Sequence, residues 1–258
     1  MTNLARIDKW PSLKNQVTPE EWDTRVNLAA CYRIADHFGW TDLIYTHISA
    51  RVPGPEHHFL INPMGTLFDE ITASSLVKIN LDGEPVGENT HEVNRAGFVI
   101  HSAVHSARED AKIVMHTHTD ANIAISMLEC GLLPLSQHAQ IFFGKVGYHD
   151  YEGFAIDIDE RQRLIKNLGD NPILILRNHG VLAATETTGH AVALLFHFER
   201  ACRAQLAAMA TGMPLITPTD NVAQKASDFV HSESSPIGKK DWPPLIRMMD
   251  RKDPSYRD

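Results

Sequence analysis

The residues of this chain that could do chemistry gather in two short stretches. In Ile113-Val114-Met115-His116-Thr117-His118 an apolar run ends in two histidines, two positions apart. The run is too short for a helix and reads as a buried strand. Side chains at i and i+2 of a strand point to one face, so the two imidazoles can converge on a single cation through neutral ring nitrogens. A second apolar run, Ile173-Leu174-Ile175-Leu176, leads straight into Arg177-Asn178-His179-Gly180. His179 therefore also stands just past a strand end, with Gly180 to allow a sharp turn that aims it inward. Three histidines from two strand ends, with a coordination position left open, is a common construction for a catalytic metal site. The plainer reading is ordinary loop histidines, in a chain that holds 15 of them.

A second pair, His101 and His105, lies at i, i+4 on one face of a helix expected over 94–107. That spacing imitates a zinc-protease pair, but the glutamate such a motif places after the first histidine is Ser102 here. The pair is assigned to the core or to the support of the site.

The elements that must position these residues follow from periodicity and caps. Thr119 or Asp120 caps a helix over 121–128, so the grammar is strand, two histidines, helix, with the ligands beyond a strand's carboxyl end. Upstream, Thr18-Pro19-Glu20-Glu21 starts a helix that Gly39 ends. A strand over 45–52 alternates His47, Ser49 and Arg51 with Thr46, Ile48 and Ala50, and a second covers 58–62. A short helix is expected at 73–75, then a strand over 76–80. Downstream come a strand within 144–151, a helix over 157–168, a strand over 180–184 and a long helix that Gly212 ends.

This divides the chain into an N-terminal arm (1–17), one domain (18–213) and a C-terminal tail (214–258). In the tail, Trp242, Leu245, Ile246 and Met249 share one side at helical spacing. Each large apolar side chain gains roughly 1.5–3 kcal/mol on burial, so the four must be covered. With the domain closed by the long helix, the expected cover is a neighbouring subunit of a symmetric homo-oligomer.

Composition narrows the classes. The chain has 258 residues, 43% hydrophobic and 22% charged, with a formal charge of −8. That gives no electrostatic support for nucleic-acid binding. No apolar run approaches the roughly 20 residues of a membrane span, and the N-terminus shows no signal-peptide core. Three cysteines, Cys31, Cys130 and Cys202, read as free thiols of a cytoplasmic protein.

Across residues of about 25–212 the chain resembles the class II aldolase/adducin family. The resemblance is carried by His116-Thr117-His118, Arg177-Asn178-His179-Gly180 and the long helix that follows. It is closest to the adducin-like branch in residues 42–49, 72–78, 135–137 and 148–151. It implies a three-layer α/β/α sandwich with a mixed central sheet. It also implies a divalent cation, usually zinc and otherwise Fe2+ or Mn2+, held by His116, His118 and His179, in a tetramer with sites at subunit contacts.

The departures from the family pattern are informative. Sugar-phosphate aldolases of the family bind phosphate through a Gly-Asn pair, which is Thr46-His47 here, and place a catalytic glutamate where this chain has Gly97. A dehydratase branch uses a glutamate where this chain has His138. With both acid/base positions altered, His138, Tyr148 and Tyr151 are the candidates for moving a proton.

The expected function is therefore a metal-dependent lyase. It would act on a small, unphosphorylated carbonyl or hydroxy-carbonyl substrate through a metal-stabilised enolate, by aldol cleavage or decarboxylation. The alternative is a non-catalytic, adducin-like oligomeric scaffold with a retained metal site. A rarer option is iron held for oxygen chemistry.

Overall fold

The structure is a computed structural model that describes residues 10–87, 91–153 and 159–258. Its strands are β1 (Ile48–Arg51), β2 (Phe59–Ile61), β3 (Val77–Ile79), β4 (Ile113–Thr117), β5 (Val146–His149), β6 (Ile173–Leu176) and β7 (Gly180–Thr185). They form one seven-stranded sheet in the order β3-β2-β1-β4-β7-β6-β5. Neighbours are antiparallel except β5 and β6, which run parallel, so the sheet is mixed.

The helices among the described residues are α1 (Pro19–His37), α2 (Arg95–Ala107), α3 (Asp120–Met127), α4 (Gln137–Gln140), α5 (Glu160–Leu168), α6 (Thr188–Met209), α7 (Asp220–Val230) and α8 (Trp242–Lys252). Strand alternation distributes the sheet between two helical layers. Ile113 and Met115 of β4, with Ile173 and Ile175 of β6, pack with α1 and α6. Val114, Leu174 and Leu176 face the other way, onto α2 and α5. The three-layer sandwich with a mixed sheet is thus present, and parity puts His116 on the α2 side.

Local chemistry sets the helix starts. Thr18, Thr119 and Thr187 each accept a hydrogen bond from a backbone N–H of the first turn, of Glu21, Asn122 and His190 respectively. The segment at 73–75 is a turn rather than a short helix. Thr72 and Ser75 bond each other's backbone N–H groups through their hydroxyls (3.2 and 2.9 Å), which closes the chain before a helix can propagate. The expected helix from Asp157 begins at Glu160, its first residues lying outside those described.

The tail has a place within the chain. Met249 is buried in the core beside α1 and α6, and Trp242, Leu245 and Ile246 are partly buried against it. Trp242 Nε1 donates to Asn27 Oδ1 (2.9 Å), Arg33 pairs with Asp253 (3.2 Å), and Tyr256 is fully buried. The long helix does not close the domain by itself, and the tail completes the layer over α1. Residues 1–9 of the arm lie outside those described. Beyond them Leu13 is buried, its N–H bonded to Ser74 Oγ (3.1 Å). All three cysteines are free, and no described helix is long and apolar enough to cross a membrane.

Candidate metal centre

His116 is the fourth residue of β4, and His118 follows the strand at the approach to α3. His116 Nδ1 lies 2.9 Å from the Val181 carbonyl. A carbonyl only accepts, so Nδ1 carries the proton and Nε2 the lone pair. His118 Nδ1 lies 2.9 Å from Asp42 Oδ2, which assigns the same tautomer by the same reasoning. The two Nε2 atoms then face each other 2.7 Å apart. Two lone pairs at that distance repel unless a cation or a proton lies between them.

His179 completes the group, with one nitrogen from each of the three rings within 4.8 Å of the others. A tetrahedral ion held at 2.0–2.1 Å needs nitrogens about 3.4 Å apart, and the observed separations bracket that value. The donor set therefore fits a divalent cation. Burial, then the neighbouring imidazoles, hold His116 well below the usual histidine range and bring His179 down to about 4. Near pH 7 both are neutral, the form that ligates.

The turn that delivers His179 differs from the one expected at Gly180. Asn178 takes the left-handed conformation (φ 57°), which its short polar side chain tolerates. Gly180 is required for another reason. A Cβ there would meet the Thr117 carbonyl oxygen at 2.5 Å and the His118 ring at 3.0 Å. The glycine lets β7 lie against the histidine strand.

The three histidines form part of the wall of a cavity of about 650 Å3, with Asp42, His47 and Tyr151. Of the three proton-handling candidates, Tyr151 is at this wall, its ring 6.4 Å from His179. His138 and Tyr148 are not brought to the triad within the chain. His138 lies on α4 with its ring 5.4 Å from that of His197. The Tyr148 hydroxyl accepts from the Leu132 N–H (3.2 Å), and its ring lies under Arg177. Tyr148 thus joins β5 to the loop before α4, while His138 packs between α4 and α6.

Two residues beyond the expected ligands and proton-handling candidates join the site, Asp42 and His47, the second noted in the sequence only as a departure from the phosphate-binding pattern. Asp42 orients His118, and nothing in its sequence neighbourhood marks it for that. His47 fills the space that a side chain at position 97 would occupy: a Cβ on Gly97 would fall 2.5 Å from its ring. The His47 ring lies near parallel to that of His116, centroids 5.4 Å apart, and burial with the nearby His118 and His179 takes its pKa down to about 3. The usable signal was a large residue at 47 matched by the smallest residue at 97. Thr46, by contrast, is fully buried and takes no part in the cavity wall.

Comparisons agree with this geometry. Residues 26–206 match the family described as Class II Aldolase and Adducin N-terminal domain. A solved aldolase II superfamily protein from Pseudomonas syringae is 49% identical, with a TM-score of 0.91 over 96% of this chain and 100% of that one. L-fuculose 1-phosphate aldolase from Glaciozyma antarctica is 27% identical, with a TM-score of 0.82 over 98% and 97% of the two chains. Alpha-adducin of Rattus norvegicus is 42% identical over 88% of this chain, which spans 33% of that protein's length.

Proposed function

The chain belongs to the class II aldolase and adducin family, and from that premise we propose that it is a metal-dependent lyase acting on a small, unphosphorylated carbonyl or hydroxy-carbonyl substrate. One observation carries the reading. Three imidazoles converge at a cavity wall, and among the described residues no fourth His, Cys, Asp or Glu joins them. Structural zinc sites are closed by a fourth protein ligand, which the described residues do not supply here.

A divalent cation, zinc by the nitrogen donor set, would supply a Lewis acid that grips the substrate carbonyl and disperses the negative charge developing on its oxygen. Asp42 fixes the His118 ring so that Nε2 stays available. Ile100, Ile123 and Met64 give the cavity apolar wall, which limits water around the reacting carbons. Tyr151 is the hydroxyl placed to pass a proton at that wall. Leu43 and Tyr45 are exposed close to Asp42, apolar surface that assembly as a homo-oligomer, a tetramer in this reading, would cover.

Similarity to a fuculose-phosphate aldolase argues for a phosphorylated substrate. Against it stands His47, a neutral buried ring at the cavity wall where an anion needs backbone N–H groups or a cationic clamp. A second reading, a non-catalytic binding protein that keeps its metal for folding, draws on the identity with alpha-adducin.

The test is turnover by zinc-loaded protein on unphosphorylated ketoses and carbonyl acids, with fuculose and ribulose phosphates as comparators and His118→Ala as control. Metal-dependent turnover of an unphosphorylated compound supports the proposal. Preference for the phosphates overturns its substrate half. Inactivity on every compound by protein that keeps its metal and assembly favours the binding role.

A further inference from the structure

A line of buried side chains runs from the metal cavity into the layer between β1 and α2. His47, just before β1, and Ser49 within it both face α2, and Gly97, His101 and His105 recur every fourth residue on the sheet-facing side of α2. The contacts are His47 Nδ1 to His101 Nε2 at 3.1 Å, His101 Nδ1 to Ser49 Oγ at 2.6 Å and Ser49 Oγ to His105 Nε2 at 2.7 Å. The far end is His105 Nδ1, 3.0 Å from the Ala111 carbonyl oxygen.

That carbonyl sets the direction of the whole line. It can only accept, so His105 donates from Nδ1 and presents a lone pair at Nε2. Ser49 must then donate its one proton to His105 and accept from His101 Nδ1–H. His101 in turn accepts at Nε2 from His47 Nδ1–H. A neutral His47 is left with its lone pair on Nε2, which has no hydrogen-bond partner among the described residues. His47 is part of the cavity wall and stacks by His116. Gly97 gives the ring its room, since any side chain there would collide with it.

We infer that His47 is a specificity-determining residue whose Nε2, locked as an acceptor by the His101–Ser49–His105 relay, takes a hydrogen bond from a hydroxyl of the substrate beside the metal site. The substrate class is a neutral polyhydroxy carbonyl compound. Phosphate and carboxylate oxygens at that point would meet the nitrogen lone pair with lone pairs of their own. Ser49, His101 and His105 act as positioning residues. The inference rests on the cavity being a substrate site, as proposed above.

Two measurements on the full-length, zinc-loaded chain test it. In long-range proton–nitrogen correlation spectra of 15N-histidine protein, with His47 assigned through His47→Gln, His47 should carry its proton on Nδ1 alone. Ser49→Ala should abolish that single tautomer. If Ser49→Ala fails to fold, the wild-type spectrum still decides: a proton on Nε2 overturns the relay. Calorimetry then compares dihydroxyacetone with its phosphate ester. Wild type should bind the free ketose more tightly, and His47→Leu should lose about tenfold for it, the worth of one hydrogen bond, while keeping its zinc. Equal or tighter binding of the phosphate overturns the assignment. Binding of neither compound, with the expected tautomer intact, sinks the substrate-site reading and the hydroxyl assignment with it, but leaves the relay standing.

Discussion

The pairing of Gly97 with His47 can be tested by adding one carbon. Gly97→Ala on an ordinary helix gains up to about 1 kcal/mol from propensity. Here the new Cβ falls 2.5 Å from His47 Cδ2 and 2.8 Å from both Cγ and Nε2. Carbon contacts settle at about 3.5–4.0 Å, so the ring must retreat by about 1 Å. It has little freedom to do so. Its Nδ1 is tied to His101, its carbonyl oxygen accepts from the His116 N–H (3.2 Å), and the ring faces His116. Overpacking of this kind costs about 1–3 kcal/mol, and weakening the His101 bond adds about 1 kcal/mol. Gly97→Ala should therefore lose about 1–3 kcal/mol net. In a His47→Ala background the collision vanishes, and the same change should be neutral or stabilising. Urea denaturation of the four proteins of the cycle, metal-free, should give a coupling energy of about 2–4 kcal/mol. A coupling below about 0.5 kcal/mol, the level of independent sites, would refute the packing argument.

Other outcomes follow from the same geometry. Asp42→Ala should lower zinc affinity about 10–100-fold by freeing the His118 ring; chelator competition that shows no change would remove Asp42 from the site. Stability should fall with acid. Burial holds folded His105 at about 3 against 6.5 unfolded, so between those values only the unfolded chain takes up the proton. The loss begins as pH drops through 6.5 and reaches about 2 kcal/mol from this residue by pH 5, with His101 adding in the same direction; a melting temperature flat from pH 7.5 to 5 would contradict it. Tyr256→Ala should cost about 3–5 kcal/mol in denaturant, as for a large buried aromatic ring, because the tail completes the chain's own core. A change in oligomer mass with unaltered unfolding would return the tail to a neighbouring subunit.

What could be read from the sequence was what local rules carry. His116 and His118 were legible because strand parity is local, and His179 because an apolar run ends three positions before it. Thr18 and Thr119 announced their helices through short-range caps. The remainder depended on residues far apart in the chain. Asp42 meets a histidine 76 positions away, and His47 fills space vacated at Gly97, 50 positions on. Reading position 97 alone shows a missing acid, while reading it with 47 shows one space filled from the other side. The contact of the tail with the chain's own core was not legible, because an amphipathic stripe states that it must be covered and not by what. Asn178, not Gly180, makes the turn because the glycine is needed for close approach to Thr117, which spacing cannot reveal.

The central claim is an open metal site that takes substrate, and X-ray absorption at the zinc edge addresses it most directly. Protein loaded with one equivalent should show three imidazole nitrogens at about 2.0–2.1 Å and a light, exchangeable oxygen ligand whose signal changes on adding dihydroxyacetone. His179→Ala should remove one imidazole. A fourth imidazole in a spectrum indifferent to the ketose, or failure to hold stoichiometric zinc, would contradict the account.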